Sequence, residues 1–481
     1  MNRDNYFPIN KYSGSVSGFK TILENPERNQ MHLLSDLTSC PLDGAYLVLS
    51  KIKDLVILFH SPEGCSTSLW FLWGGAFSMK SQTKSTMAVS EGAITLCTAM
   101  REEQMIYGGI EILKKAIYEV KDRYSPLHTI VLSSCCSNII GDDIEGAVQF
   151  AKNKWNMNID YLDTAGFKSW YWPNGYDLAH QFLVKSIMGR KVKKISNTVN
   201  LISYGNAASV DEKELIRLLN LCDIKVQLPL CVPFTSIENI KEAPNACLNI
   251  MMCKAYGYEF CKQMEKKYNI PFVETKQQIG SKNCEKFLRE IGEKMECKEK
   301  VESLIFSEKR NIADRLNEYK KFFRGKSIAI SAGHDKVFSL IELAQELGFK
   351  ICYIGLLTYD DLVIEKVKKL QIDCRLIVNP QRDEEVQALL KDIPDLYLGP
   401  AGLTARVNVL GIPTLNIHFN DLLENYFGFS GVVNFAKNMK SAIENSKEKF
   451  YVSDNSAMNY NGRCMMYENQ QLGQRRCKQI D

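Results

Sequence analysis

The stretch Ser327–Gly355, SIAISAGHDKVFSLIELAQELGFKICYIG, holds a short apolar strand to Ser331, an amphipathic helix over Lys336–Leu347 and a second apolar strand from Lys350. Strand, helix and strand in this order are the repeating unit of a parallel sheet covered by helices. The alternation continues through Asp360–Leu370, Cys374–Val378, Asp383–Lys391, Asp395–Leu398 and Pro413–Ile417. A second series lies upstream, with strands at Val199–Tyr204, Lys225–Leu230 and Cys247–Met252 and helices at Asp211–Leu221 and Gly257–Tyr268. A first series has strands at Asp54–His60 and His128–Ser133, with helices at Gly108–Lys121 and Gly141–Asn153. The expected fold class is α/β, built as three Rossmann-like domains with doubly wound parallel sheets.

A chain of 481 residues is too long for one hydrophobic core. The expected organisation is an N-terminal extension (1–35), domain I (36–194), domain II (195–282), a charged helical linker (283–324), domain III (325–454) and a C-terminal tail (455–481). Both polar ends are expected to wrap a partner or fray. Lys and Arg number 60 against 56 Asp and Glu, so no basic field points to nucleic acid. The sequence has no long uncharged apolar run and no signal-peptide core, so a soluble cytoplasmic protein with no membrane partner is expected.

Sixteen cysteines in such a chain argue for reduced thiols, some of them metal ligands, rather than for a disulfide framework. Cys97, Cys222, Cys231, Cys247, Cys261, Cys352 and Cys374 fall in or beside apolar patterns, where a thiol packs as a small hydrophobe. No CxxC spacing occurs, so any iron–sulfur cluster must draw its ligands from distant loops. Cys65, Cys135, Cys253 and His418 all come just after expected strand ends, where a doubly wound sheet places its ligands. Gly325-Lys-Ser327 looks like the end of a P-loop, but Lys320 occupies the position of the first glycine. Gly108-Gly109 lacks the rest of a dinucleotide fingerprint.

Two segments, Leu248-Asn-Ile-Met-Met-Cys253-Lys and Gly411-Ile-Pro-Thr-Leu-Asn-Ile-His418, resemble those that carry the cofactor-ligating Cys and His in the nitrogenase component 1 family. Three further places fit the same family: Cys40-Pro-Leu-Asp-Gly-Ala45, the Gly64-Cys65 pair, and Cys135-Cys136-Ser-Asn-Ile-Ile-Gly141-Asp-Asp. Glu102 and Tyr107-Gly-Gly109 match the segment between the second and third. The resemblance implies that Cys40, Cys65 and Cys135 are metal ligands of a cluster at a subunit interface, either an 8Fe P-cluster-like or a 4Fe-4S cluster. Cys253 and His418 would hold a second, large iron–sulfur cofactor whose heterometal is unknown. The implied partners are a β-like component 1 subunit and an ATP-hydrolysing iron protein that docks transiently. Cys136 stands where the family often has proline, so it could ligate in place of Cys135, although the spacing to Gly141 favours Cys135.

The pocket residues depart from those of true nitrogenases. Trp172 falls at a glutamine position, Tyr176 at that of a proton-donating histidine and Trp73 at an arginine near the cofactor. His334 and Lys336 lie in the segment that replaces a Gly-Gly loop. Tyr176, Trp172 and His334 are the candidate catalytic residues of the pocket. Two functions stay open. One is the α-like subunit of a nitrogenase-like reductase, which His418 favours. The other is a scaffold for cofactor maturation, which the Cys40 segment and the altered pocket favour.

Overall fold

The computed structural model describes residues 12–24, 40–69, 92–169, 172–189, 193–202, 209–230, 235–357, 366–417 and 424–449. After β1 (Tyr12–Ser15) and the helix Val16–Glu24, the helix Pro41–Leu49 leads into β2 (Ile52–Lys53) and β3 (Leu55–His60). With β4 (Ile94–Cys97), β5 (His128–Ser133) and β6 (Ile159–Leu162), β3 forms a sheet of order β4-β3-β5-β6 in which every pair is parallel. All six residues of β3 and of β5 are buried. A central strand covered on both faces needs apolar residues throughout, which is why these two read as unbroken runs.

The second sheet contains β7 (Thr198–Ile202), β8 (Lys225–Leu230), β10 (Leu248–Met251) and β11 (Phe272–Glu274) in the order β11-β10-β7-β8, again all parallel. Between them, β9 (Thr235–Ser236) pairs with β2 and ties the first part of the chain to the second. The third sheet uses β12 (Ser327–Ala332), β13 (Lys350–Leu356), β14 (Arg375–Val378), β15 (Leu396–Gly399) and β16 (Thr414–Asn416). Its order is β1-β14-β13-β12-β15-β16, and only β1 runs antiparallel. The fold is therefore the expected α/β class with three Rossmann-like parallel sheets.

Of the N-terminal extension, expected to wrap a partner or fray, residues 12–24 are described, and they dock on the third sheet of this same chain. Tyr12 to Ser15 pair with Val378 to Arg375, and Val16 and Phe19 are buried in the core. Such docking rests on backbone hydrogen bonds and two apolar anchors, so it leaves no sustained periodicity to read. The charged span after Asn283 forms parts of the helices Ser281–Lys294 and Lys298–Phe323. These pack Phe287, Ile291, Ile305 and Phe323 into a core shared by the second and third sheets. Most of the expected helix Asp360–Leu370 lies outside the described residues, as does the C-terminal tail.

A close helix crossing fixes the relative positions of Cys40 and Trp172. The helix Pro41–Leu49, which Cys40 precedes, meets the helix Pro173–Phe182, which Trp172 precedes, at Gly44 and Gly175. A Cβ on Gly175 would lie 1.9 Å from the carbonyl oxygen of Pro41, and one on Gly44 would lie 2.0 Å from that of Trp172. Only glycine lets two backbones come this near. Among the described residues no helix is long and apolar enough to cross a membrane.

Candidate metal centre and cofactor pocket

Cys40 is the N-cap of the helix Pro41–Leu49, in extended conformation, with Pro41 supplying the helical φ at the first position. Burial pushes its thiol up, while the backbone N–H groups of Asp43 and Leu42 act in the opposite sense by favouring the thiolate. Cys135 opens the short helix Cys135–Ile139 directly beyond β5, behind the cap Ser134, whose hydroxyl accepts from the Ser137 N–H. Between these two cysteines sits Gly166. A Cβ there would lie 3.3 Å from Cys135 Sγ and 3.7 Å from Cys40 Sγ, so a larger residue would fill the gap between the thiols.

Cys65 lies in the helix Glu63–Leu69 that follows β3. Burial pushes its thiol up to about 11, and the neighbouring thiols add to this, Cys136 most, then Cys40, Cys135 and Cys97. Cys40 and Cys135 thus meet beyond the first sheet, and Cys65 is within electrostatic reach of both, as of Cys136 and Cys97. Cys97, expected to be simple packing, is at the end of β4. Its thiol faces the Ser61 carbonyl (3.4 Å) and accepts the Ala99 N–H (3.3 Å). Parallel pairing of β4 with β3 brings these strand ends together, and no local pattern announces it. Among the described residues no three His, Cys, Asp or Glu side chains are gathered as they would be round a single ion. A multi-iron cluster asks for something else, spread thiolates with one for each outer iron.

The segments around these cysteines are held by a buried carboxylate whose role is not visible in the sequence. Asp142 bonds His60 Nε2 at 2.8 Å and accepts the Gly109 N–H at 2.8 Å, while His60 Nδ1 lies 3.2 Å from the Thr98 hydroxyl. One carboxylate so joins the end of β3, the Tyr107-Gly-Gly109 turn and the loop after Cys135. A Cβ on Gly109 would lie 2.6 Å from Asp142 and 2.8 Å from His60, which explains that glycine. Burial holds the His60 ring below the usual imidazole range, and its bond to Asp142 opposes the shift. Gly141-Asp142-Asp143 is the local signal, but it does not reveal the partner of the aspartate.

The second candidate region begins where β10 ends. Met252 and Cys253 are fully buried, and Cys253 is the N-cap of the helix Lys254–Tyr268. Lys366, whose amine is pushed down by burial, lies within electrostatic reach of Glu274 and Cys253. Three residues after Cys253, the Tyr256 ring stacks on Tyr176 with centroids 4.5 Å apart, and Trp172 meets both rings edge-on at 5.5 and 5.9 Å. Tyr176 is 2% exposed. His334 opens the helix His334–Leu347, and Lys336 donates to the Ile417 carbonyl at 2.6 Å, anchoring the chain one residue before His418. His418 and Trp73 lie outside the described residues.

The thiols at strand ends, the buried Cys253 and the three sheets can be set beside known proteins. The family model for nitrogenase component 1 type oxidoreductases matches residues 40–444. The chain belongs to this family. It is 27% identical over 434 residues to the nitrogenase iron-molybdenum cofactor biosynthesis protein NifE of Methanococcus maripaludis, covering 89% of this chain and 88% of that one. It is 26% identical to the NifE protein of Clostridium pasteurianum, covering 84% and 87% of the two chains. Identity is also 26% to the nitrogenase molybdenum-iron protein alpha chain of Methanosarcina barkeri, over 84% and 85%. The solved structure described as nitrogenase Cp1 at pH 5 superposes with a TM-score of 0.75 at 21% identity, covering 89% of this chain and 94% of that one. At that identity the likeness is one of fold.

Proposed function

We propose that this nitrogenase component 1 relative is a scaffold on which an iron–sulfur cofactor of the nitrogenase type is matured, rather than the subunit that reduces substrate. The observation that carries this reading is the stacking of Tyr176 on Tyr256, which follows Cys253 by three residues in the chain. Tyr176 stands at the sequence position that the resemblance assigns to a proton-donating histidine, yet its ring is buried and stacked on Tyr256. A phenol whose reference pKa is about 10 is a poor shuttle, and a stacked one has little freedom to move. Such a wall shapes and excludes water. Several relatives of this chain carry the name of a cofactor biosynthesis protein, which supports the same choice.

In this reading Cys253, and His418 after the end of β16, hold the two ends of the cofactor, which supplies exposed iron when bound. Cys40, Cys65 and Cys135 serve a separate cluster near a partner. Their surroundings fit it: a set of soft thiol donors, and a glycine that keeps the space between two of them open. Ile106, Tyr107 and Ile139 are 72%, 84% and 73% exposed on the segments that flank these cysteines, apolar surface suited to a β-like subunit. An ATP-hydrolysing iron protein would deliver electrons during maturation.

The test uses the chain with its β-like partner, purified without oxygen. Cofactor delivered to an acceptor protein that lacks it is counted beside reduction of small substrates with iron protein and ATP. A scaffold delivers cofactor, keeps doing so within about two-fold in Tyr176→Phe, and shows no repeated turnover. Repeated reduction of a small substrate that falls ~10- to 10⁴-fold in Tyr176→Phe, the scale for loss of an acid–base group, overturns the scaffold and leaves the reductase.

A further inference from the structure

The strand that leads to Cys253 is gripped at its end by side chains as well as by the sheet. Along the backbone, the Met252 N–H donates to the Ile202 carbonyl at 3.0 Å, and the Thr275 N–H donates to the Met251 carbonyl at 2.9 Å. The Thr275 hydroxyl adds a bond to the Met251 carbonyl at 3.3 Å and lies 3.8 Å from Met252 Sδ. Gln278 Nε2 reaches the same sulfur at 3.9 Å and donates to the Lys276 carbonyl at 2.7 Å. A thioether is a weak acceptor, so two donors on one sulfur are not explained by the strength of either bond. Met252, Thr275 and Gln278 are all buried.

The loop 275–280 that supplies these donors is tied in turn to the helix His334–Leu347. Lys276 Nζ pairs with Glu342 at 2.7 Å, and the Ser339 hydroxyl donates to the Gln277 carbonyl at 3.3 Å. The N–H of Ser281, the first residue of the next helix, donates to Glu346 at 2.9 Å. One loop therefore braces the strand end before Cys253 against the helix that His334 opens. This is not the most stable way to fill the space. Gln278 Oε1 is buried with no partner among the described residues, a cost that a methionine of the same length would avoid. A buried polar group kept at the expense of stability, close to a candidate ligand, is the kind of local exception that functional sites carry.

We propose that Thr275 and Gln278 are positioning residues for Cys253, holding the Met251–Met252 strand end by its carbonyl and its thioether and so fixing where the cysteine stands. The inference rests on the reading that Cys253 holds a cofactor, and it adds how that ligand is kept in place. Cys253 follows Met252 directly and caps the helix Lys254–Tyr268, so its backbone is set between the braced strand end and the first turn of that helix. Groups that do not touch a metal orient the ligands that do. Methionine is unbranched and adapts its shape to its surroundings, and the two hydrogen bonds to its sulfur select one arrangement.

The experiment compares Gln278→Met, which keeps the length of the side chain and removes its donor, with Thr275→Val, which removes the hydroxyl, and Thr275→Ser, which keeps it. In the full chain, purified without oxygen and stripped of iron with a chelator, labelling of Cys253 by a maleimide is followed by peptide mass spectrometry. The buried Cys261 of the following helix is the internal reference. Gln278→Met and Thr275→Val should label Cys253 ~2- to 10-fold faster, the range for one hydrogen bond lost from a local opening, with Cys261 unchanged. Gln278→Met should unfold at a urea concentration no lower than wild type, and Thr275→Ser should match wild type throughout. Met252→Leu, which lacks the acceptor, should label as Gln278→Met does, and combining the two should add nothing. In the complex with its partner, the cofactor EPR signal that Cys253→Ala removes should shift in Gln278→Met and Thr275→Val. Wild-type labelling of Cys253 or an unshifted signal in Gln278→Met overturns the proposal, as does equal acceleration at Cys261, which marks general loosening. A cofactor signal that survives Cys253→Ala overturns the ligand reading itself and with it the role of the brace, an outcome that no labelling result imitates.

Discussion

Replacing Gly175 by alanine should damage the stability of the chain and its cysteine site together. The added methyl would stand 1.9 Å from the Pro41 carbonyl oxygen, 2.5 Å from the Ala45 nitrogen and 2.8 Å from the Pro41 carbonyl carbon. These are main-chain atoms, so no side chain can swing aside. The contact falls short of ordinary van der Waals separation by about 1.5 Å, and the helices Pro41–Leu49 and Pro173–Phe182 must part by a comparable distance. Inserting one methylene into a packed core costs about 1–3 kcal/mol. A clash against rigid backbone belongs above that range, so about 3–5 kcal/mol is expected. Cys40 caps the first of these helices and Trp172 precedes the second, so the shift moves one end of each candidate site. Urea unfolding followed by circular dichroism would read the loss as a lower midpoint, and iron retained after anaerobic reconstitution would read the displacement of Cys40. Gly64→Ala is the control, because a Cβ there meets nothing within 4 Å although it adjoins Cys65. A Gly175→Ala chain with the midpoint and iron content of Gly64→Ala would refute the claim that this crossing is closed by glycine.

Two buried acids give further expected outcomes. Asp142→Ala strands the His60 ring nitrogen and the Gly109 N–H, each worth roughly 1–3 kcal/mol when left without a partner, so a loss of about 2–6 kcal/mol in urea unfolding is expected; a change below about 0.5 kcal/mol would show that the three segments do not depend on this carboxylate. Glu385 is fully buried under the third sheet, where it accepts from the Tyr397 hydroxyl at 3.0 Å, and burial pushes its carboxyl up to about 7. Because the folded value lies above that of the unfolded chain, the stabilisation is complete below about pH 4.5 and is lost as pH rises through 7. Glu385→Gln imitates the neutral acid, so its stability relative to wild type should improve by about 3 kcal/mol between pH 4.5 and 8; a difference that stays constant across that range would contradict a buried, protonated Glu385.

The alternation of strands and helices is legible in the chain because it depends on neighbours within a few residues. Strands buried on both faces, such as Leu55–His60 and Ser327–Ala332, must be apolar along their length, and the helices between them need one apolar stripe. The placing of Cys65, Cys135 and Cys253 just past strand ends comes from the same local pattern, since the ends of elements can be read one at a time. Which ends meet is another matter. That Gly166 separates Cys40 from Cys135, that Asp142 reaches His60 across 82 residues of sequence, and that Cys97 comes within electrostatic reach of Cys65 all depend on how sheets and helices stack. Tyr176 makes the point from the opposite side. Its position in the chain marks it as a candidate proton donor, and the packing of two helices makes it part of a stacked aromatic wall. Residue type and spacing determine what a side chain is able to do. The company it keeps, and with that its freedom to ionise, bind or move, is decided by contacts between segments far apart in the chain, which only the folded structure brings together.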